Sequence, residues 1–276
     1  MIGVIQMKKP VAESPDYYLG FYNMYNLLQI NDAIIYRVFE EAKENYQLTT
    51  SNLLESISTD NYAKELLVQF RMTGITPPDN VIKMSKENRG TDTSLAYDLQ
   101  ANDRDPFDWF RKTNEFLQLY ALFEQALREL LRQKGCKNIS ESKAIDLLIE
   151  KLDSQTSKFI GILAFKVFGL VENVDEVKAI WDYYTQVRNC IAHSGGRITQ
   201  KVVDGFNKIN SSYGNIFEAI QNKDFLSCYF LVKEDDEYKL FDCKCSSGEI
   251  IHLDNNSLNF FRMFCVFVVE SLAEMT

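Results

Sequence analysis

Residues 172–197, ENVDEVKAIWDYYTQVRNCIAHSGGR, constrain the fold more than any other stretch, because they read as one helix with both ends marked. Asn173 can cap the start, with Glu176 three residues on reaching back to close a capping box. Gly195-Gly196 ends it, since glycine takes a left-handed C-cap without penalty. Between the ends, Val174, Val177, Trp181, Tyr184 and Ile191 recur at helical spacing and form one apolar stripe. Arg188 falls on that stripe where the period asks for another apolar residue. A guanidinium keeps its charge, so burying it demands a partner or a purpose. Five residues later stands His193, one of only two histidines in the chain.

A chain of 276 residues supports one large domain or two ordinary ones. Apolar content of 46% and charged content of 25% are ordinary globular values and exclude wholesale disorder. No apolar run reaches membrane-spanning length; the longest candidates are cut by lysine, as in KFIGILAFKVFGL. No membrane partner is therefore expected. The opening MIGVIQMKKP lacks a signal-peptide core, which leads to the expectation of a cytoplasmic protein. Six cysteines scattered through a chain of this size read as free thiols of a reducing compartment. The formal net charge of −9 argues against a generic nucleic-acid coat protein, and both sides of a cut at residue 104 stay acidic. A local basic cleft remains compatible with that balance, because overall charge is not local field.

Taken in order, residues 1–14 form an irregular entry broken by Pro10 and Pro15. Helical patterns follow in DYYLGFYNMYNLLQ and NDAIIYRVFEEAKENY, with Asn31 or Asp32 as a cap between them. Tyr17, Tyr18, Phe21, Tyr22 and Tyr25 follow a helix face and read as core. Two further helices are opened by Thr50-Ser51 and Thr59-Asp60, the latter with Ala63, Leu66, Leu67 and Phe70 on one face. Residues 85–105 are polar and weakly periodic, a linker. A long helix is expected over 105–134, with Pro106 in its first turn and Gly135 ending it. Its apolar face is Phe116, Leu119, Tyr120, Phe123, Leu127 and Leu130 or Leu131. Glu124 lies inside that face and can pair with Arg128 one turn on. Ser140 caps a helix over ESKAIDLLIEKL, though Lys143 stands where a capping box wants glutamate. KFIGILAFKVFGL is a short buried helix. After the marked helix, Thr199 opens another, weakened by Gly205 and Gly214. Residues 225–254 alternate between apolar and polar, with turns at KEDDE and SSGE, and read as a small antiparallel β-meander of three strands. Asn255 or Asn256 then caps a closing apolar helix.

Arg188-Asn189-Cys190-Ile191-Ala192-His193, followed by Ser-Gly-Gly, resembles the R-x4-6-H motif of the HEPN superfamily (higher eukaryotes and prokaryotes nucleotide-binding domains). The match includes a polar residue directly after the arginine, and the motif ends a long amphipathic helix. The 105–134 segment resembles the first helix of HEPN domains, with Glu124 as its acidic residue among aromatics and leucines. The expected fold is therefore mainly α: a HEPN-type helical bundle over 105–276 carrying the β-meander insertion at about 225–254. An N-terminal helical region, 1–104, precedes it and resembles nothing known.

The resemblance implies a metal-independent endoribonuclease that cuts RNA by attack of its own 2′-hydroxyl, in a toxin or phage-defence setting. Arg188, Asn189 and His193 would be catalytic. Histidine is the side chain that exchanges protons near neutral pH, and arginine grips a phosphate and offsets charge growing on it. Tyr184, Ser194, Arg197 and Glu124 are the neighbouring candidates for substrate binding. Five steps of about 100° set Arg188 and His193 about 140° apart on an ideal helix. One helix end then meets a single phosphate only by unwinding before Gly195 or stretching the arginine, or through the family's two-fold homodimer, in which two motif helices build one cleft. RNA and a second copy are the expected partners, with an antitoxin or defence protein as a further one. In a HEPN subgroup that acts as toxins, a tyrosine follows two residues after the histidine; Gly195 holds that place here, so regulation through such a residue is not expected. A non-catalytic HEPN module that binds nucleotide or protein is the rival expectation.

Other chemistry finds little footing. Cys243-x-Cys245 with His252 and Cys228 lacks the second closely spaced pair that structural zinc uses, so no metal is expected. No phosphate-binding glycine loop or other cofactor motif occurs, so no cofactor is expected either. Cys190 has no third group that would make it a nucleophile.

Overall fold

In the computed structural model, residues 5–46, 106–137, 139–140, 143–223 and 240–275 are described. They are mainly helical: α1 (Asp16–Tyr46), α2 (Pro106–Gln133), α3 (Ala144–Leu152), α4 (Thr156–Lys166), α5 (Val174–Ser194), α6 (Gln200–Gln221) and α7 (Asn255–Ala273). A 3-10 turn, Asp153–Gln155, joins α3 to α4. The chain divides into two compact units, Met1–Asn31 with Lys112–Thr276, and Asp32–Arg111. The helices expected at Thr50-Ser51 and Thr59-Asp60, the linker over 85–105 and the first part of the meander lie outside the described residues.

In the larger unit, α7 is the central element. Almost every residue along it is buried, which matches a helix apolar all round rather than on one stripe. Its Phe261 meets Tyr184 of α5 at 4.4 Å and Phe116 of α2 at 4.9 Å between ring centroids. The expected apolar face of α2 is the one it buries: Phe116, Leu119, Tyr120, Phe123 and Leu127 are each at most 1% exposed. Tyr17, Tyr18, Phe21 and Tyr25 of α1 are buried as well, in agreement with their helical spacing. α6 packs on α5, α3 on α5, and α4 on α7.

One strongly polar spot in this core is an ion pair. Arg262 of α7 donates from Nε and Nη2 to the two oxygens of Glu115 of α2, each at 2.6 Å, and Nη1 donates to Asn259. Both side chains are 2% exposed. Gln29 of α1 reaches Glu115 Oε1 at 3.3 Å, so three helices share one carboxylate.

In the smaller unit, Arg111 holds both oxygens of Asp32 at 3.0 Å and Asp108 Oδ1 at 3.0 Å, and lies over the Tyr36 ring. This explains one departure from the sequence reading. Asn31 and Asp32 do not cap a second helix; α1 runs through them unbroken, and the Asp32 carboxylate is taken by Arg111 instead of backbone amides.

Helix ends elsewhere differ by small steps. Pro106 opens α2, and Gly135 stands beyond its end at φ +83°. Ser140 does not cap α3: the helix starts at Ala144 with no side-chain cap bond, since Lys143 cannot reach back as a glutamate would. Asp254, not Asn255 or Asn256, caps α7, its Oδ1 accepting from the Ser257 amide at 2.6 Å. A carboxylate suits the positive end of the helix dipole. Gly205 does not break α6. A Cβ there would meet the Gln186 side chain of α5 at 2.3–2.9 Å, so the glycine lets the two helices approach.

The described part of the expected meander, 240–254, forms no strand. It contributes a single antiparallel bridge, Ile250 to Arg197, just past the marked helix. Backbone bonds from Ile198 N to Glu249 O (2.8 Å), Gly248 N to Ile198 O (2.8 Å) and Ile251 N to Gly196 O (2.9 Å) carry it. The three-stranded meander is not shown among the described residues; there the segment's backbone partner is the exit of α5.

Candidate functional site

The helix that carries the motif is fixed at both ends by the residues that mark it. Asn173 Oδ1 accepts from the Glu176 amide at 2.9 Å, and the Glu176 carboxylate accepts from the Asn173 amide at 3.3 Å, closing the capping box. Lys223, just past α6, clamps the same end, its ammonium donating to Gly169 O, Leu170 O, Glu172 and Glu176 at 3.0–3.3 Å. At the other end Gly195 is left-handed at φ 59°, and the amides of Gly195 and Gly196 both turn back to Cys190 O. The helix stays regular to Ser194. It does not unwind before Gly195, so the angular gap between Arg188 and His193 stands.

Arg188 and Asn189 are half-buried and joined: Arg188 Nη1 donates to Asn189 Oδ1 at 3.0 Å. The Arg188 guanidinium carbon also lies 5.7 Å from the centroid of the Tyr120 ring of α2. The asparagine side chain is therefore engaged with the arginine. His193 is exposed on the last turn. Ser194 is half-buried, and its carbonyl accepts from the Arg197 amide at 3.1 Å. Arg197 is half-buried too, held through its backbone in the bridge to Ile250. These residues gather at one end of the bundle.

Two of the neighbouring candidates are buried. Tyr184 is 0% exposed. It donates its hydroxyl to Ser257 O at 2.9 Å, and its rings of contact are Phe116, Tyr183, Phe241 and Phe261. It is core, because the apolar stripe that made it look like a neighbour of the motif is the stripe that faces α7. Glu124 is 9% exposed and accepts from Arg128 Nε at 2.6 Å, one turn on. Tyr120 is the residue that sequence reasoning passed over. It looked like any other member of the α2 apolar face, and nothing in the spacing marks it as the ring beneath Arg188.

The Cys190 and Cys243 thiols are unsuited to nucleophilic work. Burial, reinforced by Cys245, pushes the Cys190 thiol up to about 12, and its Sγ lies 3.6 Å from Arg197 O. Burial, with Asp242 and Cys245 beside it, likewise pushes Cys243 up to about 12. A thiol held so high is protonated at neutral pH and is no nucleophile. All five described cysteines are free, and Cys228 lies outside the described residues. His252 is exposed. Among the described residues no group of three or more His, Cys, Asp or Glu side chains is placed to hold a metal ion. No helix among them is long and apolar enough to cross a membrane.

No protein-family model, no curated protein and no solved structure matches this chain.

Proposed function

We propose that this chain is a metal-independent endoribonuclease of HEPN type, acting as a homodimer in a toxin or phage-defence role. One observation carries the reading: an arginine anchored by Asn189 and Tyr120 and an exposed histidine, five residues apart at a helix end held by its caps. The imidazole of His193 takes the proton from a ribose 2′-hydroxyl, and the 2′-oxygen attacks the adjacent phosphorus. The bond to the 5′-oxygen breaks, that oxygen takes a proton from solvent water, and a 2′,3′-cyclic phosphate remains. The Arg188 guanidinium offsets the charge that grows on the phosphoryl oxygens. Because α5 stays helical to Ser194, the two groups diverge within one chain. A two-fold pairing of motif helices brings the arginine of one copy towards the histidine of the other.

Total RNA incubated in EDTA with wild type and with His193→Ala tests the chemistry. Wild type is expected to cut and leave cyclic phosphate ends; His193→Ala is expected to lose at least about a hundredfold. Activity abolished by EDTA would reject the metal-free route. Light scattering tests the assembly: a wild type that stays at its 32.0 kDa monomer mass at micromolar concentration, yet cleaves, overturns the dimer. The rival reading, a HEPN-type module that holds nucleotide or a partner protein, draws on the net charge of −9 and on Arg188 being engaged inside its own chain. Binding of RNA or nucleotide with no cleavage under any condition would favour it.

A further inference from the structure

Trp181, Thr185 and Arg188 stand at i, i+4 and i+7 on α5, so helical period puts them on one face. All three address a single side chain of α2. The Trp181 ring stacks on Tyr120 with centroids 4.8 Å apart and an interplanar angle of 11°. Thr185 Oγ1 lies 2.9 Å from the Tyr120 hydroxyl. Arg188 brings its guanidinium carbon to 5.7 Å from the ring centroid. Tyr120 itself has no freedom to turn away: it is 1% exposed and is flanked by Phe116 at 6.2 Å and Phe261 at 6.3 Å.

We propose that Tyr120 is the positioning residue for Arg188, a fixed aromatic platform that sets the guanidinium while Asn189 holds its edge. The inference rests on the reading of Arg188 as the phosphate-gripping group and adds the residue that aims it. An unsupported arginine has several rotatable bonds, and ordering them at each encounter with substrate costs entropy. Attraction between the cation and the ring face uses charge rather than N–H groups. The ring contact therefore orients the guanidinium through its charge, alongside the bond from Nη1 to Asn189. Trp181 and Thr185 serve the same end indirectly, one by stacking the ring and one by pinning its hydroxyl.

The test compares Tyr120→Phe, which keeps the ring, with Tyr120→Leu, which removes it. The first readout is the Nε–Hε NMR signal of Arg188, assigned by its disappearance in Arg188→Lys. Wild type and Tyr120→Phe are expected to show it shifted by the ring. In Tyr120→Leu it is expected to move to the position of a free arginine while the signals of the remaining core stay in place. The second readout is RNA cleavage, where Tyr120→Leu is expected to lose about tenfold in kcat with KM changed much less, and Tyr120→Phe to stay near wild type. A role confined to core packing would lower the melting temperature and leave the Arg188 signal where it is; that result overturns the proposal. So does a Tyr120→Leu protein that cuts like wild type. If Tyr120→Leu does not fold, Tyr120→Met, which fills irregular space better, makes the same comparison. If wild type cuts no RNA at all, the functional reading fails, and the Arg188 signal still decides whether Tyr120 holds the arginine.

Discussion

Asp182 sits on α5 beside the tyrosines of the core, and its carboxyl is held above the usual carboxylate range. Burial is the main cause; the hydroxyl of Tyr213, with Lys178 and Lys208, pulls the other way and does not win, while Asp146 adds to the rise. A carboxyl whose pKa is raised by folding stabilises the fold while protonated. That contribution is complete below the unfolded value and is lost as pH rises through the folded one. Above the ordinary aspartate range Asp182 is thus a burden to the fold. Asp182→Asn, which can still accept from Tyr213, is expected to raise the urea midpoint at pH 7. The gap to wild type should close as pH falls towards about 3, below the ordinary aspartate range. A gap that persists at low pH would assign the effect to packing. Tyr184 gives a second residue-scale expectation. Its hydroxyl is spent on Ser257 O in a fully buried setting. Tyr184→Phe should cost about 1 kcal/mol of unfolding free energy and leave RNA cleavage per folded molecule unchanged. A cleavage defect without loss of stability would return Tyr184 to the site.

At the scale of the element, α5 is the helix whose two ends the sequence states most fully. Asn173, Glu176 and Gly195 do what their types and spacing imply, because a capping box and a left-handed glycine are satisfied within a few residues and need no distant partner. Asn173→Ala should cost about 1 kcal/mol in denaturant unfolding, and Asn173→Ser should restore most of it. A loss much larger than that would mean that the Lys223 clamp on Glu172 and Glu176 depends on the cap. The start of α3 and the passage through Asn31 and Asp32 show the opposite case. There the local signals were incomplete or outbid, by a lysine that cannot close a box and by an arginine that claims the aspartate.

Across the larger unit, the polar decision that matters is Glu115 with Arg262. Two charges at 2% exposure are held by each other, with Asn259 on the arginine and Gln29 on the glutamate. Removing one partner leaves the other buried and uncompensated. Glu115→Gln or Arg262→Met alone should cost about 3–5 kcal/mol by urea unfolding, while Glu115→Leu combined with Arg262→Met should cost less than either single change. Single variants within about 1 kcal/mol of wild type would mean that water reaches the pair. The pair joins α2 to α7, helices far apart in sequence, and the glutamine brings in α1.

What the sequence determined by itself is what short-range physics controls. Helical period placed the buried faces of α2 and α5, the caps closed α5, and Gly135 stood where α2 stops. The placement of Arg188, Asn189 and His193 near one helix end, and the angle between them, was legible for the same reason, since residues five apart on a capped helix have fixed relative directions. Tertiary structure decided everything that depends on which faces meet. It put Tyr184 against α7 instead of at the surface, and Tyr120 of α2 beneath Arg188. It turned the alternating segment near Ile250 towards the exit of α5, and it let Arg111 take Asp32 from a cap. Each of these pairs residues distant in the chain, and an apolar or polar pattern records that a side chain wants a partner without recording which one.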